Sequence, residues 1–257
     1  MTNADYEPGP ISCKGAVFDD FRLTDHLPPE KSPAVIERDR KLMSARPGFN
    51  RKLLPIRIEP ETGVVYSGGR YLLDTYANAL KFANWVTGEF NVDGVDFMKR
   101  PDFADITARV WHIVGAHDFR NIHTAQHVFR TEVWALDGAK AADRIIREWP
   151  HLRDQAEAQG HSSLWLLHDD DKNEVCLVTV AQRQGIRDKQ ALDFSSLGWL
   201  ENLPSQGQAW ENSGFAVKTF DRTHWVYTIW FPNTGDTQAR PPLWPNSPPL
   251  PAPRPAG

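Results

Sequence analysis

The chain has 257 residues, with 29 Lys and Arg against 33 Asp and Glu, a formal charge of -4 and a pI near 6.1. That length exceeds a typical domain of about 100 to 150 residues, and an acidic balance without a basic run excludes binding driven by release of phosphate counterions. No segment reaches the roughly 20 apolar residues that span a bilayer, MTNADYEPGP carries no basic start leading into an apolar stretch, and Cys13 and Cys176 form no metal-type pair, so a cytoplasmic protein with buried strand thiols and neither nucleic-acid nor membrane partners is expected.

Residues 1–14 lack periodicity and read as an extended segment. Gly15 to Thr24 carries the bulky and β-branched residues of a strand. A helix is predicted from Ser32 as N-cap, with Pro33 in its first turn, to about Arg46, where Pro47-Gly48 stops it. Lys52 to Ile58 and Val64 to Tyr76 read as two strands about the turn at Glu59 to Gly63, and the Gly68-Gly69 pair as a bulge or bend. Asn78 to Phe90 spaces Leu80, Phe82, Ala83 and Val86 as a helix, and Ile106 to Phe119 closes the set as a strand.

The same order then returns. His127 to Leu136 is a predicted strand and Gly138 to Gln159 a long amphipathic helix; Ser163 to His168 and Glu174 to Gln182 form a hairpin across the polar run Asp169 to Asn173. Leu192 to Leu203 is a predicted helix weakened by Ser195, Ser196 and Gly198, and Thr223 to Phe231 (THWVYTIWF) a strong strand. Pro241 to Gly257 is a proline-rich extended tail, with Leu243 and Trp244 as its anchor if it straps a partner subunit. The expected divisions are 1–14, 15–120, 121–235 and 236–257.

This doubled order, with segments such as Tyr71 to Val86 followed by Ala108 to Phe119, resembles the dimeric α+β-barrel superfamily across Gly15 to Phe231. Its members include antibiotic-biosynthesis monooxygenases, small polyketide cyclases, and haem-binding relatives such as chlorite dismutases and aldoxime dehydratases. The resemblance implies an α+β fold in which two fused ferredoxin-like β-α-β-β-α-β units form a barrel, with helices outside and a pocket within. A tandem chain can close such a barrel alone, which leaves a homodimer optional.

No GxGxxG, P-loop, GxSxG or HExxH motif is present, which argues against a nucleotide-driven enzyme and an α/β-hydrolase. Instead 10 Trp and 9 His gather in the strands and at their ends, suited to the walls of a pocket for an aromatic ligand. The run His112 to His127 holds His117 and His123 as well; these read as solvated linker residues, pocket walls or a metal site, though no carboxylate spacing supports a metal. Alternation places Trp225, Tyr227, Ile229 and Phe231 on one strand face and Arg222, His224, Val226, Thr228 and Trp230 on the other, so His224 and Trp230 point inward if the first face packs under helices. In the opening strand Asp20 and Arg22 share a face, either as a cross-pocket ion pair or as a surface pair, opposite Val17, Asp19, Phe21 and Leu23. Trp85, Trp149, Trp199 and Phe82 are expected in helix cores.

The candidate catalytic residues are His224, His112, His127, Arg22 and Asp20. Trp111, Tyr66, Tyr76, Arg109, Arg130, Trp230 and His168 are candidates to bind substrate. The expected activity is that of an enzyme without cofactor or metal, acting on a hydrophobic aromatic small molecule by acid-base catalysis as a lyase or cyclase. A cofactor-free monooxygenase, a haem-dependent dehydratase and a non-catalytic binder of an aromatic metabolite are the alternatives.

Overall fold

The computed structural model describes residues 7–122, 127–182, 205, 207–214, 216–230 and 250–253. The elements run β1 (Gly9–Pro10), β2 (Gly15–Leu23), α1 (Ser32–Ser44), β3 (Phe49–Ile58), β4 (Val65–Leu73), α2 (Tyr76–Asn84), β5 (Asn91–Val92), β6 (Val95–Asp96), β7 (Phe103–Asp118), β8 (His127–Leu136), α3 (Ala139–Arg147), α4 (Trp149–Ala158), β9 (Ser163–Asp169), β10 (Glu174–Gln182), α5 (Gln208–Asn212) and β11 (Ala216–Trp230). The predicted helix at Leu192 to Leu203, with Trp199, lies outside the described residues, as do His123, Phe231, Leu243 and Trp244.

Several boundaries differ from those expected, each for a local reason. Tyr76 does not end a strand but starts α2, because Thr75 caps that helix by accepting the Asn78 N–H at 3.1 Å. The predicted helix to Phe90 is α-helical only to Asn84 and widens into a π-turn over Trp85–Glu89. The single helix from Gly138 to Gln159 is two, parted at Glu148, because Pro150 has no N–H to give and stands in the first turn of α4. The last strand begins earlier, at Ala216, carried along β8 by a bulge between Lys218 and Phe220.

The described residues divide into two compact units, with β7 and β11 each split between them. The unit of residues 7–14, 111–122, 127–182 and the described part of 205–225 contains α3 and α4. In it β8 pairs antiparallel with β10 and β11, and β9 lies between β10 and the second half of β7. Ala142, Ile145, Leu152 and Ala156 of the helices pack on Trp134, Leu166, Val175 and Leu177 of the strands. Since strand side chains alternate, His127, Phe129 and Thr131 occupy the opposite sheet face.

The other unit, with described residues 15–110, 226–230 and 250–253, contains α1 and α2. Its central strand β4 pairs with β2 and β3, setting Val17 and Lys52 opposite Tyr71, and Asp19 opposite Gly69. These residues share the face turned to the helices: a Cβ on Gly15 would meet Ala79 of α2 at 2.6 Å, and the Tyr71 hydroxyl donates to Met43 Sδ of α1 at 3.4 Å. An aromatic chain consolidates this side, from Tyr71 on Phe82 (ring centroids 4.7 Å) through Trp85 on Phe90 (4.4 Å) to Phe21 on Phe103 (3.9 Å).

Ile145 is fully buried at the centre of the α3 and α4 core. Ile145→Ala is expected to cost about 2–5 kcal/mol, read as a lower urea midpoint. A midpoint unchanged from wild type would show that this helix is not anchored by that core.

Candidate active site

In the α1 and α2 unit a cavity of about 30 Å³ lies beneath α1. Lys52 of β3, Asp39 and Met43 of α1, Arg100, Phe21 of β2 and Trp230 of β11 are among its walls. The Lys52 side chain reaches it because β3 presents Lys52, Leu54 and Ile56 in phase toward the helices.

Lys52 is the unusual group. Only 3 % exposed, it makes no hydrogen bond or ion pair with any described residue; its Nζ lies instead over the Trp230 ring at 4.0 Å and the Tyr71 ring at 4.6 Å. Burial pulls its pKa down to about 8, against the attraction of Asp19 and Asp39. Asp19 is itself fully buried, and desolvation raises its carboxyl although Lys52 and the Tyr71 phenol favour the anion. The phenol is close enough to act on Asp19, yet its hydrogen-bond geometry is to Met43, and neither Asp19 oxygen completes a hydrogen bond of good geometry. Burial likewise pushes Tyr71 well up, so it stays protonated at any ordinary pH.

The site keeps its room through Gly69. A Cβ there would stand 2.2 Å from Tyr71 Cε2 and 2.7 Å from Lys52 Cε. On the far side Arg100 donates to Asp39 at 2.7 Å and, through Nη2, to Asp102 at 2.8 Å, a buried bridge that fixes α1 to the loop before β7. The Trp230 Nε1 and Asp39 Oδ1 atoms are buried without a hydrogen-bond partner. An amine and an indole N–H are thus left with capacity around one cavity, beside a carboxylate oxygen whose ion-pair partner is Arg38 Nε at 3.5 Å. A guest's hydroxyl or carbonyl oxygen would accept from the two donors.

Of the candidate catalytic and substrate-binding residues, Trp230 alone lines this cavity. Asp20 and Arg22 do not pair with each other: Asp20 takes Arg70 at 2.7 Å and Arg22 takes Asp105 at 2.9 Å, because the strand turns their shared face away from the helices. Tyr66 lies under the Arg57 guanidinium at 4.6 Å, Tyr76 starts α2, and Arg109 is half-buried in β7. In the α3 and α4 unit, His127 and His224 occupy one sheet face, His224 stacked on Phe129 with centroids 5.2 Å apart. His112 and His168 are cross-strand neighbours on another edge, where His168 Nδ1 is 2.7 Å from Asp170 and His112 3.9 Å from it. Arg130 forks onto Asp221 with Nε at 2.7 Å, and Trp111 is buried in β7. Among the described residues no three His, Cys, Asp or Glu gather so as to hold a metal ion.

Asp19, Asp39, Lys52, Tyr71 and Arg100 were missed by the sequence reading. The usable signal was a charge in phase with an apolar strand face, as Asp19 is between Val17 and Phe21.

No protein-family profile and no curated protein matches the sequence. A solved structure from Fusobacterium nucleatum, named as a candidate monooxygenase, superposes with a TM-score of 0.52 at 12% identity, covering 84% of this chain and 92% of that one. The chain shares its fold with that structure. A candidate monooxygenase from Lactobacillus acidophilus (TM-score 0.46, 11% identity, 82% and 92% covered) and an anthrone oxidase-like protein (0.45, 12%, 87% and 97%) are weaker likenesses that add nothing to that conclusion. Among the described residues no helix is long and apolar enough to cross a membrane.

Because the folded pKa of Lys52 lies near 8 and the unfolded one near 10.5, the unfolded chain binds the extra proton between those values, and the native state gains stability from this group as pH rises through that window. Urea denaturation at pH 7 and at pH 10 should show the wild type gaining on Lys52→Met by roughly 3 kcal/mol at most. A difference independent of pH would mean that Lys52 titrates as an exposed lysine.

Proposed function

We propose that this chain is an enzyme acting without a cofactor on a hydrophobic aromatic small molecule, with Lys52 as its general base. The observation that carries the reading is a buried amine, poised near pH 8 and without a hydrogen-bond partner among the described residues, in the wall of a cavity. The neutral amine takes a proton from a phenolic hydroxyl or an acidic ring methylene. The ammonium so formed stays beside the anion it has created, where low polarity strengthens their attraction. Trp230 and Phe21 offer ring faces, and the Trp230 N–H a donor to the substrate oxygen.

Such an anion can react with dioxygen, eliminate a leaving group or cyclise. The fold neighbour from Fusobacterium nucleatum is named as a candidate monooxygenase, so oxygenation is the version to test first, with the lyase or cyclase route as the second. Among the described residues no histidine lines the cavity, so a haem held by one of them does not fit there. His127 and His224, on their shared sheet face, remain the proposed histidine pair of the other unit. We further propose that the chain is a tandem of two β-α-β-β-α-β units, supported by the order β2-α1-β3-β4-α2-β7 and by β8, α3 with α4, β9, β10 and β11. A homodimer is compatible with it.

With a panel of hydroxylated polycyclic aromatics bearing an acidic methylene, Lys52→Met is expected to lower kcat by about 10²- to 10⁴-fold. The wild-type kcat/KM should rise with pH to a plateau above about 8. Full activity in Lys52→Met would remove the proposed base. Product formed without oxygen uptake would replace oxygenation by elimination or cyclisation, and a Soret band in the active protein would overturn cofactor independence.

A further inference from the structure

The cavity beside Lys52 is too small for the guest its chemistry suits. At about 30 Å³ it has room for one water molecule, whereas a benzene-sized guest occupies a cavity on the order of 150 Å³. Its strand and helix walls cannot retreat without breaking sheet hydrogen bonds or the Arg100 bridge to Asp39 and Asp102. Besides Leu27, in the bend before α1, one wall is of another kind. Leu250, in a stretch without secondary structure, inserts among these residues and is only 7 % exposed.

Among the described residues, what ties that stretch down is slight. The Leu250 N–H donates to Ser32 Oγ at 2.7 Å, at the start of α1, and among the described residues this is the one hydrogen bond of residues 250–253. Pro251 and Pro253 have no N–H to add another, and a following proline biases Leu250 toward an extended backbone. Ser32 Oγ in turn donates to the Pro29 carbonyl at 2.7 Å, so its hydrogen is already used and its lone pair faces the tail. One leucine side chain and one neutral hydrogen bond are losses that the burial of an aromatic ring in the same space can replace.

We propose that Leu250 is the displaceable wall of the Lys52 cavity: an aromatic guest takes the space of its side chain, and the size of residue 250 sets the size of ring admitted. The proposal rests on the reading of the cavity as the substrate site. It assigns a specificity-determining role to a residue far from Lys52 in sequence and outside every helix and strand.

The test is fluorescence titration of 2-naphthol into the full chain. Leu250→Ala is expected to bind at least tenfold more tightly than wild type and Leu250→Trp at least tenfold more weakly. Ser32→Ala, which removes the anchoring acceptor and leaves the wall residue intact, should speed association in stopped flow by threefold or more. Thermal unfolding of each variant checks that it is folded, and Ser32→Ala carries the test if Leu250→Ala is not. Affinity in Leu250→Ala within threefold of wild type, no binding to it at millimolar naphthol, or an unchanged association rate in Ser32→Ala would overturn the proposal. Adding Lys52→Met to Leu250→Ala separates the two ideas. Affinity lost again places the ring beside the amine, while affinity kept leaves the wall standing and removes the reading of Lys52 as the substrate's partner.

Discussion

The α1 and α2 unit is organised around the burial of one positive charge. An ammonium taken from water into a protein interior carries a cost of several kcal/mol unless something replaces its hydration. Around Lys52 that replacement is partial: two aromatic faces supply their negative quadrupoles, and Asp19 and Asp39 act at longer range without an ion pair. The remainder of the cost appears as the lowered pKa. Much of the neighbouring structure can be understood as holding that compromise in place: Tyr71 is fixed by Met43, Asp39 is held off by Arg100, and glycine stands at position 69.

The two units handle buried charge differently. In the α3 and α4 unit Arg130, Lys218, Glu132 and Asp221 neutralise one another at hydrogen-bonding and ion-pair distances, although Glu132 Oε2 is buried without a hydrogen-bond partner. Arg130 and Lys218 hold the Asp221 carboxyl below its usual range even though burial opposes them. The Lys52 neighbourhood lacks such closure, and unmet polar capacity in a cavity wall is the usual mark of a place where something binds.

Strand patterning made most of the fold legible in advance. β2, β8 and β10 begin and end within a residue of where bulky alternation puts them, because a pleated strand shows its two faces directly in sequence. Helices were less legible: the break at Glu148 depends on a proline whose ring is also welcome in a helix's first turn, and Thr75 outcompeted a strand reading of Tyr76 through a single cap. The site was the least legible part. Histidine and tryptophan attract attention as chemical groups, but Lys52 sits next to Arg51 in a strand that begins FNRKLL and looks like a surface edge. Only pairing with Tyr71 across β4 puts that lysine under α1, and such pairing is set by turns and bulges rather than by composition.

Gly69 carries a consequence that reaches beyond this molecule. Since any side chain there would overlap both the Tyr71 ring and the Lys52 stem, positions 52 and 69 are under a joint constraint. Chains descended from a common ancestor with this one should keep the pair together or lose it together: a lysine diagonal to a glycine on the next strand, or an apolar residue diagonal to something larger. At 12% identity overall similarity says little about shared chemistry, but this two-residue covariation can sort structures that share this fold into those that retain a buried amine and those that have filled its place.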